Sequence, residues 1–413
     1  MFQNWPFNYF LWPKNGIIRA VMVHIRALSF LATIVFIAIV GLGISFIARG
    51  YRFDSKQLGF RPTGLLVVTS IPDGAQILVN GELESATNAT ISLPPDTYDI
   101  ELRKEGFLSW QKRLTIKKEE VTKSEVVLFP VAPSLSALTF TGAQKPILSQ
   151  DGTKIAYRIP PNKNAVGEPK VGLWIIDLGD LPIGFSREPR IVTDASLDDA
   201  TWSWSPDSRQ LLLRSARGAF LVDAGSTTSQ NQLINIEGKQ LEEVLEKWEE
   251  QELKRLDAKI ARTPEEVQDI LQRKAEAISF SPNGNKVLYT ASGSAQIPDN
   301  LIKQLPGSST QRQARGIEAG KAYVYDIKED RNFFVGDGSR PLVWFPTSNH
   351  LVLAQEGKIT IMDYDSTNKQ DVWTGPYEAP YAIPFPNPTR LLILTSLGAG
   401  NGNLSNLYAL SLK

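Results

Sequence analysis

Hydrophobic side chains form one long uninterrupted run near the start of the chain and short alternating runs through the rest of it. Residues 27–48 contain no charged side chain, and Arg49 is the first charge after them. An α-helix rises about 1.5 Å per residue, so a helix of this length can cross a hydrocarbon core of about 30 Å. The pattern therefore predicts a single transmembrane helix at residues 27–48, after an N-terminal tail at residues 1–26.

The flanks of this run favour a retained anchor over a cleaved signal peptide. The preceding tail is long, and the run exceeds the roughly 7–15 residues of a signal-peptide core. Positive residues occur on both sides of the run, so their distribution does not decide which side faces the cytoplasm. The tail also carries aromatic residues that suit a membrane interface: Trp5, Phe7, Tyr9, Phe10 and Trp12.

After a polar linker at residues 49–63, the pattern changes to short strands. Tyr98, Ile100 and Leu102 alternate with polar residues, as in a strand with one buried face. Turn sequences such as Asn80-Gly81 separate these runs. The spacing predicts a small antiparallel β-sandwich at residues 64–130.

A strand–turn–strand unit then recurs along the chain. Its clearest copy is ISFSPNGNKVLY at residues 278–289, where Pro282 and Asn283 suit a turn and Gly284 accepts the positive φ that closes it. Further copies occur at residues 147–157, 202–213, 343–353 and 383–394. A third strand follows each copy, and most of these third strands end on an aspartate: Asp177, Asp223, Asp326 and Asp363.

Repeats of short strands at this spacing are typical of a β-propeller with one blade per repeat. The five copies predict a five-bladed propeller at residues 131–413. The last copy stops at its third strand, so we expect residues 138–140 to supply an outer strand that closes the ring. The recurrent aspartates favour a structural role, because an aspartate at a strand end accepts backbone N–H groups of the next turn.

Two insertions interrupt the repeats. Residues 238–277 predict helices, which either pack on the propeller rim with a solvated charged face or form a docking surface for a partner or a second copy. Residues 292–320 are rich in Gly, Ser, Pro and Gln and predict a long mobile loop. The first helix is indicated by apolar residues at i, i+3, i+4 and i+7: Leu241, Val244, Leu245 and Trp248.

Charge and composition exclude several classes of protein. Lys plus Arg and Asp plus Glu each number 44, which gives no electrostatic basis for nucleic-acid binding. The chain has no cysteine, and His24 and His350 are its two histidines, which leaves little material for a metal site or a catalytic triad. We therefore expect no metal and no cofactor.

Two acidic patterns in the sequence could carry chemistry. The spacing Asp363-x-Asp365-x-Thr367 resembles part of a calcium loop but lacks its glycine and its distal glutamate. Paired carboxylates in a propeller channel can carry glycoside hydrolysis, although no spacing here singles out an acid and a nucleophile. A carbohydrate-active hydrolase is therefore the alternative function, and acids converging on the channel would favour it.

Tryptophans are better candidates for a contact surface. Trp202 and Trp204 lie two apart and so share one face of a strand, and Trp344 occupies the matching strand of another blade. Trp248 lies in the helical insertion. Such residues either pack between blades or anchor a partner. These four are the candidate partner contacts, and the sequence predicts no catalytic, cofactor-binding or metal-binding residue.

Several turn motifs of residues 64–130 occur in the order found in the PEGA domain, which this region resembles. Pro72-Asp73-Gly74-Ala75 stands where the family has Pro-Glu-Gly-Ala, and Asn80-Gly81 stands where it often has Asp-Gly. Residues 93–107 match its Leu-x-Pro-Gly-x-Tyr…Gly-Tyr segment, with Asp96 and Phe107 as departures. The resemblance implies an envelope module without catalytic residues, and hence an extracytoplasmic location for the C-terminal domains.

The turns at residues 205–207 and 281–284 resemble those of TolB-like and WD-type propellers. Together the patterns predict a single-pass membrane protein with a PEGA-like β-sandwich and a five-bladed propeller. We expect a non-enzymatic scaffold that binds a protein partner or an envelope polymer. The ground beside residues 278–289, where the helical insertion enters the propeller, is the first candidate for its contact surface.

Overall fold

The computed structural model describes residues 16–48, 51–54, 59–161, 170–179, 188–397 and 404–413. The predicted tail up to residue 15 lies outside the described residues, as do linker residues 49, 50 and 55–58. The described part contains thirty strands and three α-helices, which confirms a mainly β fold that begins with an apolar helix.

The chain forms two compact units. The first comprises Met1–Leu66, Thr90–Asp96 and Ile116–Thr122. The second comprises Val67–Ala89, Thr97–Thr115 and Lys123–Lys413. The strands of the PEGA-like region are thus divided between the units, and the domain boundaries at residues 64 and 130 stay a prediction.

In the first unit, helix α1 spans Gly16–Ala48 and so begins before the predicted position. Its segment Leu28–Ala48 has a mean hydropathy of 2.7 and is not buried inside the protein, so it is long and apolar enough to cross a membrane. Strands β1 (Arg52–Asp54) and β2 (Gly59–Arg61) follow as an antiparallel ribbon. The apolar run of the sequence is therefore a continuous helix.

Seven short strands cover the predicted sandwich. Of these, β5, β4, β7 and β8 form a four-stranded sheet in that order. Ile77 on β4 lies opposite Leu102 on β7, and both are fully buried, as the alternating pattern predicts. The strands are β3 Gly64–Ile71, β4 Gln76–Val79, β5 Glu82–Ala86, β6 Ala89–Leu93, β7 Asp96–Arg103, β8 Trp110–Ile116 and β9 Val121–Val127.

Five antiparallel sheets of three or four strands follow along the rest of the described chain, and each contains one copy of the repeated unit. Sheet 1 contains β11 Gln144–Leu148, β12 Lys154–Ile159, β13 Gly172–Asp177 and β14 Arg190–Thr193. Sheet 2 contains β15 Thr201–Trp204, β16 Gln210–Ser215 and β17 Gly218–Asp223. Sheet 3 contains β18 Ala275–Phe280, β19 Lys286–Ala291, β22 Lys321–Asp326 and β23 Arg331–Asp337. Sheet 4 contains β24 Leu342–Trp344, β25 His350–Gln355, β26 Lys358–Asp363 and β27 Gln370–Thr374.

Sheet 5 joins the two ends of this region. It contains β28 Ala382–Pro384, β29 Arg390–Thr395, β30 Asn406–Ser411 and, on its outer edge, β10 Leu135–Ala137. Leu135 lies opposite Leu410, and the N–H of Leu138 donates to the carbonyl of Leu407 at 2.8 Å. The expected closing strand therefore exists, three residues earlier than predicted. The arrangement of the five sheets as five blades around one axis stays a prediction.

The repeated turn has a common hydrogen-bond pattern. Ser281 Oγ lies 2.9 Å from Asn283 Oδ1 and accepts the N–H of Lys286 at 3.0 Å. Ser149 and Ser205 make the equivalent contacts in sheets 1 and 2. The short polar residues of the motif thus satisfy backbone groups that the tight turn leaves without a ladder partner.

The helical insertion consists of α2 (Lys239–Ile260) and α3 (Glu265–Arg273). Val267 and Leu271 of α3 are buried and pack with Tyr289 of sheet 3. The segment at residues 292–320 is more ordered than the predicted mobile loop. It contains a ribbon of β20 (Ala295–Gln296) and β21 (Gly316–Ile317), and its buried Ile297 and Ile317 pack in the same cluster because apolar residues within the polar stretch reach the core.

Removing a buried side chain at the closure should destabilise the protein. Leu410 is fully buried in the cluster shared with Leu135, so Leu410→Ala should lower the free energy of unfolding by about 2–5 kcal/mol. Urea denaturation of the full chain in detergent measures this. Leu305→Ala is the matched control, because Leu305 is 54% exposed and its truncation should change stability little. Equal losses in both variants would contradict the closure.

Candidate functional site

The predicted tryptophans join neighbouring sheets. Trp202, Trp204 and Trp344 are all buried. Trp204 Nε1 donates to the carbonyl of Ile147 in sheet 1 at 3.0 Å, and Trp344 Nε1 donates to that of Ser279 in sheet 3 at 2.9 Å. Trp202 and Trp204 share one core cluster, whereas Trp344 belongs to another. These contacts support packing between sheets. Trp248 is separate from them, half-buried on α2.

Two of the recurrent aspartates have the predicted role in turns. Asp223 Oδ1 accepts the N–H of Gly225 at 2.6 Å. Asp326 Oδ1 accepts the N–H of Lys328 at 3.0 Å. Asp177 lies 3.3 Å from the guanidinium of Arg190 instead. Asp326 Oδ2 also lies 3.6 Å from the buried ammonium of Lys286, and Asp363 belongs to a buried cluster in which two carboxylates share one ammonium.

This cluster, here called the latch, consists of Lys112, Asp363 and Asp365 in the second unit. The ammonium of Lys112 lies 2.6 Å from Asp365 Oδ2 and 3.1 Å from Asp363 Oδ2. Lys112 lies on β8, whereas the two carboxylates stand at the end of β26 and just after it. The side chains are 13%, 9% and 0% exposed, so the charges interact with little screening by water.

Further hydrogen bonds hold the carboxylates of the latch. Thr367 Oγ1 donates to Asp365 Oδ1 at 2.6 Å, and Asn368 Nδ2 donates to Asp363 Oδ2 at 3.0 Å. The spacing that resembles a calcium loop therefore surrounds a lysine ammonium. Sequence reasoning missed this partner, because Lys112 is 251 positions away from Asp363 and no local pattern connects them.

The edge of strand β8 is covered by polar side chains of sheet 4 and of the segment at residues 292–320. The N–H of Gln111 donates to Asn368 Oδ1 at 2.8 Å, and the carbonyl of Ser109 accepts from Gln370 Nε2 at 2.8 Å. Farther along, the carbonyl of Arg113 accepts from Gln311 Nε2 at 2.6 Å. Because β8 is the outer strand of its sheet, these amides satisfy backbone groups that would otherwise form an open edge.

An apolar contact continues beside the latch. Phe129 is buried in the cluster that contains the cores of sheets 4 and 5, with Leu108 and Val127 packed against it. The Phe129 ring is nearly perpendicular to the rings of Phe345 and His350. The ring centroids are 6.1 Å apart for Phe345 and 5.7 Å apart for His350. Residues on both sides of the predicted boundary near residue 130 thus share one core in the second unit.

Burial controls the charge states around the latch. Burial opposes protonation of Lys112, but the charges and hydrogen bonds of Asp363 and Asp365 outweigh it and raise the pKa of the ammonium. His350 is close to the latch. Its Nε2 lies 3.6 Å from Asp363 Oδ1, and its Nδ1 lies 2.7 Å from Thr347 Oγ1. Burial lowers the pKa of His350, and the charge of Asp363 only partly opposes this. Lys112 is therefore charged and His350 neutral at pH 7.

One position, two residues before the repeated turn, can be compared in the first strand of each of the five sheets. None of the five residues there has a carboxylate. The residues there, in matching register with the second strand, are Ile147, Ser203, Ser279, Val343 and Ile383. In a propeller with the closing strand outermost, first strands border the central channel. Among the described residues no group of three or more His, Asp or Glu side chains is arranged to hold a metal ion.

Comparison with known proteins identifies one region by sequence. Residues 63–131 match the family model described as the PEGA domain, which confirms the resemblance carried by the turn motifs. This match covers the β-strands β3–β9 and includes Lys112 of the latch. No curated protein matches the chain.

Solved propeller structures are only distantly similar. TolB from Acinetobacter baumannii is 12% identical over 77% of this chain, with a TM-score of 0.19, and the chain spans 60% of its length. The Cps50 (Swd1) β-propeller domain of Myceliophteria thermophila is 12% identical over 68% of this chain and 100% of its own, with a TM-score of 0.28. The β-propeller domain of the Trilobed protease from Pyrococcus furiosus is 13% identical over 85% and 96%, with a TM-score of 0.22. At these TM-scores the similarity supports no conclusion about this chain, whose architecture is described from its own sheets.

Removing the cation of the latch should be costly. Lys112→Met leaves two buried carboxylates without their counter-charge, so the free energy of unfolding should fall by about 3–5 kcal/mol. Urea denaturation of the full chain measures this. The neighbouring Arg113→Met is the control, because Arg113 pairs with Asp99 in full contact with solvent and should matter little. Adding Asp363→Asn and Asp365→Asn to Lys112→Met should recover part of the loss, and no recovery would contradict the ionic explanation.

The buried histidine should make stability depend on pH. Because its pKa is lowered on folding, His350 contributes stability that is present above its ordinary pKa of about 6.5 and is lost as the pH falls through the folded value. The unfolding midpoint of the full chain should therefore fall as the pH is lowered from about 7 to 5. His350→Gln should flatten this part of the profile, and an unchanged slope would contradict the assignment.

Proposed function

We propose that this protein is a membrane-anchored, non-enzymatic scaffold whose propeller and PEGA-like region hold a protein partner at the membrane. The latch is the observation that carries the proposal. Two charged carboxylates and a lysine are buried to join β8 to sheet 4, which is a costly way to gain stability alone. Such an ion pair is better suited to fixing β8 in one position against sheet 4.

The anchor supplies the second part of the proposal. Leu28–Ala48 has the length and apolarity of a membrane span, and the PEGA match begins after it, at residue 63. A rigid body held by one span keeps its binding surfaces near the membrane, where confinement raises the effective concentration of a membrane partner. We place this body on the extracytoplasmic side, in line with the envelope role that the PEGA resemblance implies.

The residues that border the repeated turns support binding over catalysis. Two residues before the repeated turn, sheets 1, 4 and 5 carry the apolar residues Ile147, Val343 and Ile383, which offer neither an acid nor a second carboxylate for glycoside hydrolysis. A binding scaffold has no need of perturbed carboxylates at these positions. This observation favours a protein partner over hydrolysis of an envelope polysaccharide.

The proposal predicts a stoichiometric protein partner in the native membrane. The full chain with a C-terminal tag, cross-linked in intact cells and purified, should retain one partner in a fixed ratio. Lys112→Met should lower the recovered ratio if the latch fixes the binding geometry, whereas Arg113→Met should not. Release of reducing sugar ends from envelope polysaccharide by the purified chain would overturn the proposal, and so would purification without any fixed-ratio partner.

A further inference from the structure

Helix α2 is the least covered long element of the second unit. Of its 22 residues only Ile260, at the C-terminal end, is buried. Its side-chain hydrogen bonds to the rest of the second unit lie in its C-terminal half: Gln150 Nε2 donates to Glu252 Oε1 at 3.1 Å, and the guanidinium of Arg255 donates to the carbonyl of Pro206. In the preceding turns Leu241, Val244 and Trp248 are half-buried along one side. The preceding turns of the helix are therefore open to solvent over much of their circumference.

Two exposed leucines of these turns have carboxylates beside them. Leu245 is 37% exposed and Leu253 is 52% exposed. Residues three and four apart lie on the same side of a helix, so Glu242, Glu246 and Glu249 flank the two leucines. We call this set of five residues the acidic face. Within the described residues, the structure gives none of its three carboxylates an ion pair.

The cations of α2 are directed elsewhere. Lys239, one turn before the acidic face, lies 3.7 Å from Glu243. Lys259 lies over the ring of Phe280 at 5.8 Å, and Arg255 is bound to Pro206. Lys247 directly follows Glu246, and Lys254 directly follows Leu253. Each lysine therefore lies about 100° around the helix from the residue before it. In the part of the chain that the structure describes, Glu242, Glu246 and Glu249 thus form no ion pair with the cations of their own helix.

The negative charge of the acidic face restricts what can cover the two leucines. A second copy of α2 would bring identical carboxylates together, which is unfavourable for closely packed helices. An anionic membrane surface or a nucleic acid would be repelled for the same reason. A protein segment that carries Lys or Arg beside apolar residues matches both the charge and the hydrocarbon of the face.

We propose that the acidic face of α2 docks a basic amphipathic segment of a partner protein. Its lysines or arginines pair with Glu242, Glu246 and Glu249, and its apolar residues cover Leu245 and Leu253. The inference rests on the proposed scaffold function and names the surface and the chemistry of its partner. It also locates the contact on the insertion that leads into the hairpin at residues 278–289.

The chemistry of the face can be tested with a defined probe. The full chain in detergent is titrated with a labelled helical peptide of lysine and leucine, and with an analogue that has glutamate for lysine. We expect Glu242→Gln/Glu246→Gln/Glu249→Gln and Leu245→Ala/Leu253→Ala each to raise the Kd of the lysine peptide about tenfold or more. The control Glu237→Gln/Glu265→Gln/Glu276→Gln removes the same charge from exposed positions outside α2 and should change the Kd less than about twofold.

Equal weakening by the control, or equal binding of the glutamate peptide, would overturn the inference. A second measurement uses the chain in its native membrane. Because the natural chain has no cysteine, Leu253→Cys accepts a single photo-cross-linker, and Gln240→Cys places one on another side of α2. Support requires a protein adduct at position 253 whose linked segment is basic and apolar, and which the glutamine triple variant abolishes.

The remaining outcomes contradict the inference and separate it from the scaffold proposal. A self-adduct at position 253 would show a second copy on the face, a lipid adduct would show a membrane contact, and no adduct would show an unoccupied helix. If the tagged chain still purifies with a fixed-ratio partner in any of these cases, the scaffold stands and only the docking surface is wrong. If no partner is recovered at all, the scaffold fails first.

Discussion

The burial of one ammonium between two carboxylates constrains much of the second unit. Lys112 reaches Asp363 and Asp365 only if β8 lies along sheet 4, and the amides of Asn368 and Gln370 then meet the backbone of that edge strand. A buried charge left unpaired is far more costly than an exposed one, so partial arrangements of these elements are penalised. The ionic contact thus selects one register for the strand, while the apolar cluster around Phe129 supplies the stabilisation.

Side-chain hydroxyls also accept backbone N–H groups between neighbouring sheets. The N–H of Asp151 donates to Ser208 Oγ at 3.0 Å, and the N–H of Asn283 donates to Ser348 Oγ at 3.1 Å. Each bond joins the turn of one repeat to the turn of the next. Together with the indole bonds of Trp204 and Trp344, they join sheet 1 to sheet 2 and sheet 3 to sheet 4.

Local patterns predicted the elements well and the contacts between distant elements poorly. Hairpins such as residues 278–289 can be predicted from the sequence, because the alternation, the proline and the glycine all lie within twelve positions. The ribbon at Ala295–Gln296 and Gly316–Ile317 was missed because its strands have two residues each and lie in a stretch of loop composition. The latch was missed because the acids of a turn are uninformative until the chain brings Lys112 beside them.

Sequence by itself determined the apolar helix, the PEGA motifs and the repeat, because each depends on residues that are neighbours in the chain. Tertiary structure decided which residues of those elements matter. It buried three of the four candidate tryptophans, paired Asp363 and Asp365 with a lysine, and left Leu245 and Leu253 exposed beside three carboxylates. Burial and charge pairing depend on the sum of distant contacts, and no local pattern contains that sum.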